Sequence, residues 1–228
     1  MDGRIALTPG TVLKLSTKTG YTEYTIAREL ARGGSCIVYD ASYTDNLDNY
    51  KLVRIKECYP YALKMVRDEA GSLSPSARDG AAFDAAKRRL IAAYQKNHEL
   101  FSLDGRTNSI ANTSGIYEEN GTVYIVSVYM NGRTFTEYQG NTLHDCISLL
   151  IGAAKALRRI HDAGYLYLDL KPDNILTLED SLDLVQLFDF DSMVSMDELE
   201  KAIQTNHSGG LSASYTKGYA SLEQQTGK

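Results

Sequence analysis

The chain has 228 residues, 43% hydrophobic and 23% charged, with a formal net charge of −5. A chain of this size buries a sizeable core, and its composition excludes the disordered and fibrous classes. The negative balance, with Lys and Arg scattered rather than in runs, argues against nucleic acid as a partner and gives no support to an acidic partner or a membrane surface. No stretch reaches the ~18 apolar residues of a membrane span, and the first residues lack the apolar centre of a signal peptide, so a cytoplasmic location is expected. Cys36, Cys58 and Cys146 are odd in number and far apart in the sequence. That spacing fits neither a zinc site nor a disulfide framework, and reduced thiols are expected.

From Thr11 to Lys56, apolar and polar residues alternate in short runs separated by Thr19-Gly20, Gly33-Gly34 and Asp45-Asn46. Period-two alternation between turn residues predicts antiparallel strands near Val12–Leu15, Tyr24–Ala31, Cys36–Tyr43 and Tyr50–Lys56. Pro60 and the Gly71 to Pro75 cluster predict a loop-rich insertion over 59–81, built around a short helix. Ala81 to Leu103 lacks Gly and Pro and is followed by Asp104-Gly105, which predicts a long helix and its stop. Two strands follow, near Ser114–Tyr117 and Thr122–Val128, joined at the hairpin turn Asn120-Gly121. Asn131-Gly132 interrupts the pattern. Thr142 and Asp145 then form a capping box before a helix to about Ile160, whose stripe of Ile147, Leu150, Ile151, Ala154, Leu157 and Ile160 reads as core. A sheet first and a mainly helical part second is an α+β order.

The residues that carry chemistry come late. Tyr165 to Leu176 reads Tyr-Leu-Tyr-Leu-Asp-Leu-Lys-Pro-Asp-Asn-Ile-Leu, and Asp189-Phe190-Asp191 follows after an apolar stretch. A catalytic loop for phosphoryl transfer needs a carboxylate to orient the attacking hydroxyl and, five positions later, a carboxamide to hold a metal. The second anchor of that metal is a carboxylate on the next strand turn. Asp169, Asn174 and Asp189 suit those three tasks.

This segment resembles the catalytic and magnesium loops of the eukaryotic-type Ser/Thr protein kinases found in bacteria, and the likeness extends from about Tyr21 to Gln224. It implies a two-lobed α+β fold, with an N-lobe over 1–130 and a partial C-lobe over 131–228, and a hinge at Val128 to Asn131. It implies ATP and magnesium as cofactors and a protein substrate with a Ser or Thr acceptor. Gly33 and Gly34 stand in a depleted glycine flap, with Val38 after it. Lys56 holds the place of the lysine on the phosphates, and Glu99 is the choice for its partner on the long helix, ahead of Glu69. Val128, Met130 and Leu176 line the adenine, and Ser127 is a small gatekeeper. Asp169 orients the hydroxyl, Lys171 reaches the transferred phosphate, and Asn174 and Asp189 hold the metal. Thr216 to Glu223 resembles the close of an activation segment, with Thr216 placed to bond Asp169, and this segment favours a protein over a small-molecule substrate.

The chain also departs from the pattern. Tyr167 and Leu168 stand where His-Arg precedes the catalytic aspartate, Asp191 replaces a glycine, and Arg54 replaces the small residue that roofs the adenine. These departures, the poor flap, and an ending five residues after Glu223 support the alternative of a non-catalytic pseudokinase that binds nucleotide or a partner. The ending itself reads as an excerpt of a longer protein.

Overall fold

In a computed structural model, the structure describes residues 2–18, 20–104, 110–138, 142–178, 181–204 and 215–226. The chain divides into two compact units, one of residues 1–94 and 113–129, the other of residues 95–112 and 130–228.

The first unit is built on an antiparallel sheet of six strands: β1 (Val12–Thr17), β2 (Gly20–Arg32), β3 (Cys36–Thr44), β4 (Tyr50–Cys58), β7 (Thr113–Glu119) and β8 (Thr122–Val128), in the order β1-β2-β3-β4-β8-β7. Alternation sends Leu13, Leu15, Tyr24, Ile26, Ile37, Tyr39, Val53 and Ile55 into one core, as a period of two requires. The opposite face of β3, β4 and β8 supplies Cys36, Cys58, Val123 and Ile125 to a second cluster with Phe83, Ala86 and Leu90 of α1 (Gly80–Asp104). Asn120 and Gly121 both have positive φ, 50° and 72°, as the tight β7–β8 turn demands. A side chain at position 121 would collide with the Leu73 carbonyl.

Between β4 and α1, where a loop around a short helix was expected, the chain forms a two-stranded hairpin of β5 (Met65–Arg67) and β6 (Leu73–Pro75). The reason is a buried charge. Arg67 donates to the Ile5 and Gly71 carbonyls at 2.8 and 2.7 Å and to Glu57 at 2.7 Å. Glu57 is fully buried and also accepts from the hydroxyls of Tyr39 (2.8 Å) and Tyr124 (3.2 Å). These bonds fix the hairpin and the N-terminal segment to the sheet.

The second unit contains the end of α1 from Gln95, α2 (Leu143–Asp162), and a three-stranded sheet in the order β12-β11-β9, of β9 (Gly132–Thr134), β11 (Ile175–Leu178) and β12 (Ser181–Leu187). A further pair joins β10 (Tyr165–Tyr167) to β13 (Met193–Ser195), followed by α3 (Met196–Gln204) and the short α4 (Leu222–Thr226). Thr142 caps α2 by accepting from the Asp145 N–H at 3.1 Å. The side of α2 that enters the core is the one bearing Leu149, Gly152, Ala153, Ala156 and Ile160. Of the stripe expected from the sequence, Ile147, Leu150 and Ile151 are exposed, because the small residues at 152, 153 and 156 let the other face lie closest to its neighbours. No described helix is long and apolar enough to cross a membrane.

Candidate active site

The loop that resembles a catalytic loop follows β10. Lys171 is extended (φ −153°, ψ 161°), as a residue before proline prefers. Pro172 then opens a 3-10 turn, Pro172–Asn174, that ends where β11 begins. The turn brings Asn174, which is buried, back toward Asp169. Its side-chain amide donates to the Asp169 carbonyl at 2.8 Å and, more weakly, to the Asp169 carboxylate at 3.3 Å.

Lys171 and Asn174 of this loop and the distant Thr216 thus meet at Asp169. Thr216 Oγ1 donates to Asp169 Oδ1 at 2.7 Å, Lys171 Nζ lies 2.8 Å from Oδ2, and Lys171 also reaches Thr216 Oγ1 at 2.9 Å. Both oxygens of the carboxylate are held in one orientation by charge-assisted bonds in a largely buried setting.

The β11–β12 hairpin returns the chain to the same place. Ile175 is opposite Leu187, and the Phe188 N–H donates to the Asn174 carbonyl at 3.2 Å. Asp189 comes next, in the left-handed region at φ 64° and ψ 70°. Such a conformation costs a non-glycine residue about 1–3 kcal/mol and persists only where the surroundings impose it. Here Phe190 is buried, and the Tyr167 ring meets it edge-on at 5.7 Å while its hydroxyl donates to the Phe188 carbonyl. The strained position is therefore residue 189, and Asp191 lies in the ordinary 3-10 turn Phe190–Ser192.

The donor set suits magnesium. With its amide nitrogen committed to Asp169, Asn174 has its carbonyl oxygen as the remaining hard ligand, and Asp189 offers a carboxylate. Magnesium is ordinarily held by one or two such groups, with waters and substrate phosphates completing the shell.

After Asp189, two helices begin with reciprocal caps. Ser195 and Glu198 exchange bonds of 2.9 and 3.1 Å at the start of α3, and Ser221 and Gln224 exchange bonds of 3.0 and 3.3 Å at the start of α4. Lys96 on α1 donates to Glu198 at 2.8 Å and to the Met193 carbonyl at 3.2 Å. Burial works to raise the Glu198 carboxyl, but the bonds from Lys96 and Ser195 and the Lys96 charge outweigh it and hold the group below its ordinary value. Gln224 Nε2 donates to the Leu168 carbonyl at 2.8 Å, linking the end of the segment to the catalytic loop. Sequence reading did not single out Lys96, Glu198 or Gln224. The Ser-x-x-Glu and Ser-x-x-Gln spacings were the available signals.

Glu99 lies on the exposed side of α1, where its carboxylate accepts from the Tyr165 hydroxyl at 2.7 Å. Burial, then that bond and the Glu99 charge, push the phenol up to about 12. The buried polar residue on this turn of the helix is Asn97, whose amide donates to the Ala111 carbonyl at 3.2 Å.

In the first unit, Lys56 is opposite Val38 across the β3–β4 ladder. Gly33 and Gly34 form the exposed turn before β3, tied by bonds from the Gly33 N–H to the Cys36 carbonyl (2.9 Å) and from the Tyr61 N–H to the Gly34 carbonyl (2.8 Å). Val128 ends β8 and is exposed. Arg54 faces its cross-strand neighbour Asp40 at 3.6 Å and lies 5.4 Å from the Tyr129 ring centroid, while Asp40 also pairs with Arg28 at 2.7 Å. In the second unit, Met130 packs against the core, and Leu176 is buried.

The loop in which Asn174, Lys171 and Thr216 hold Asp169, followed by the left-handed Asp189-Phe190 turn, has the layout expected of the protein kinase family. The family model described as protein kinase domain matches residues 81–221, and the chain belongs to that family. Among solved structures, it is similar to "PpkA-294 apo form", with a TM-score of 0.70 and 25% identity, over 97% of this chain and 72% of that one. It also shares the fold of the BubR1 kinase domain, with a TM-score of 0.57 and 15% identity, over 86% of this chain and 54% of that one.

Proposed function

We propose that the chain is a catalytically competent protein kinase that transfers the γ-phosphate of ATP to a Ser or Thr hydroxyl of a protein. Residues 1–130 serve as its N-lobe and residues 131–228 as the part of the C-lobe that carries the catalytic loop. The observation that carries this reading is the Asp169 cage, because a carboxylate fixed by Thr216, Lys171 and Asn174 is prepared to accept a hydrogen bond from an incoming hydroxyl.

Asp169 orients that hydroxyl and receives its proton as the bond to phosphorus forms. Lys171, already 2.8 Å from the same carboxylate, stabilises charge developing on the transferred group. Asn174 and Asp189 would hold magnesium, which would supply neutralisation of phosphate charge. Lys56 pairs with the α- and β-phosphates, Gly33, Gly34 and Val38 cover them, and Val128, Met130 and Leu176 meet the base. The protein kinase family supports ATP, and the Thr216 contact supports a protein substrate, since Thr216 to Glu223 resembles the close of an activation segment.

The test is transfer from labelled ATP to a generic protein substrate by the full-length native protein, with phosphoamino-acid analysis. Lys56→Met and Asp189→Asn should each lower the rate by orders of magnitude, with label on Ser or Thr. Rates equal to that of the unaltered protein would refute these assignments. Nucleotide binding with no transfer by the unaltered protein would establish the pseudokinase alternative, which Arg54 and Asp191 favour.

A further inference from the structure

Cys36 and Cys58, 22 positions apart in the sequence, are direct cross-strand neighbours at the end of the β3–β4 ladder. Residues opposite each other in an antiparallel pair point to the same side of the sheet. Both thiols enter the cluster beneath Phe83, Ala86 and Leu90 and are buried. The hydrogen-bond pattern fixes the kind of pair. The Tyr59 N–H donates to the Ser35 carbonyl at 3.0 Å, so 35 and 59 form the bonded pair of this ladder, and the Cys36 carbonyl is turned to the Gly33 N–H on the β2 side. Pairs alternate along an antiparallel ladder, so Cys36 and Cys58 occupy a non-hydrogen-bonded site. There the Cα atoms lie about 4.5 Å apart, at the short end of the ~4.4–6.8 Å range that a disulfide spans.

We infer that Cys36 and Cys58 are a redox modification site, a dithiol that a hydroperoxide closes to a reversible cross-strand disulfide. In the first step one thiol attacks the peroxide, giving a sulfenic acid and releasing an alcohol, or water where the oxidant is hydrogen peroxide. The second thiol then attacks the sulfenic sulfur, and its oxygen leaves as a second product water with the displaced proton. Each sulfur gives up one electron and the peroxide takes both. The disulfide would clamp the turn at Gly33-Gly34 to the strand that carries Lys56, two residues from Cys58 on the same strand face. Its effect on ATP rests on the function proposed above, and follows because a clamped flap cannot close over the phosphates.

The test uses the full-length protein carrying Cys146→Ser, which removes the exposed thiol. Treatment with hydrogen peroxide under native conditions should yield a species lighter by two hydrogen atoms, mapped to a Cys36–Cys58 peptide and reversed by dithiothreitol. Cys36→Ala and Cys58→Ser should each abolish it. With the bond closed, the apparent KM for ATP should rise by about threefold or more. Oxidation to sulfinic acid without the linked peptide, or linkage only after unfolding, would overturn the site. A linked protein with unchanged KM would overturn its coupling to the flap. A reduced protein without kinase activity would count against the proposed function alone, since the mass measurement decides the disulfide independently.

Discussion

Replacing Arg67 by Met should destabilise the first unit severely. The Arg67 side chain is 5% exposed and that of Glu57 is fully buried, and their ion pair is 2.7 Å long. Removing one member of a buried pair leaves the other charge without compensation, at a cost of about 3–5 kcal/mol. The Tyr39 and Tyr124 hydroxyls remain on Glu57. Burial first, and then the Glu57 charge, push both phenols well above their ordinary range, so they stay protonated as donors but bring no positive charge. Against a total stability of about 5–15 kcal/mol the loss is large. At ~2–4 °C per kcal/mol it lowers the midpoint of thermal unfolding by roughly 6–20 °C. Pairing Arg67→Met with Glu57→Gln should recover most of it, because the buried charge then disappears with its partner. Urea unfolding of the unaltered protein, both single variants and the double variant would measure the coupling. A single Arg67→Met variant within about 1 kcal/mol of the unaltered protein, or strictly additive losses, would refute the reasoning.

Thr216→Val should lower the transfer rate by about 10- to 100-fold, the value of a charge-assisted hydrogen bond of roughly 1.5–3 kcal/mol, while Thr216→Ser retains most activity. Phosphatase treatment should leave activity within about threefold, because Leu168 offers no cation to a loop phosphate and the segment is anchored through Lys96, Glu198 and Gln224 instead. Ser208, Ser212 and Ser214, the other candidate phosphate acceptors, lie outside the described residues, and their single replacement should be neutral. Because the folded-state Glu198 carboxyl is held below its ordinary value of 4.5, its contribution is full above that pH and is lost as the pH falls through the folded value. Protection of the α3 amides, taken relative to the intrinsic exchange rate at each pH, should therefore fall on acidification, and Glu198→Gln should remove that dependence, with an effect under about 1 kcal/mol for so exposed a pair.

The elements with a strong local signature were legible in the sequence. The strands from Val12 to Cys58, the long helix, the Asn120-Gly121 turn and the helix after Thr142 are encoded by alternation, by a run without Gly or Pro, and by turn and cap residues, all within a few neighbours. That Asn174 turns back onto Asp169 was legible in their five-residue spacing across Pro172. What escaped depended on partners distant in sequence. Arg67 reads as a solvated charge until Glu57 is found beside it, which is why the 59–81 segment read as a loop. On α2, two apolar stripes compete, and only the packing of Gly152, Ala153 and Ala156 shows which is buried. Cys36 and Cys58 look remote until strand register places them opposite each other.

The most direct measurement is single-turnover transfer of labelled γ-phosphate from ATP and magnesium to a protein substrate, comparing the full-length native protein with its Asp169→Asn variant. Asparagine preserves the size of the side chain and can still accept from Thr216, but it cannot take the proton of the attacking hydroxyl. The account predicts transfer by the unaltered protein and a loss of several orders of magnitude in the variant, with ATP binding retained. Equal transfer by both, or ATP binding by both with transfer by neither, would contradict it.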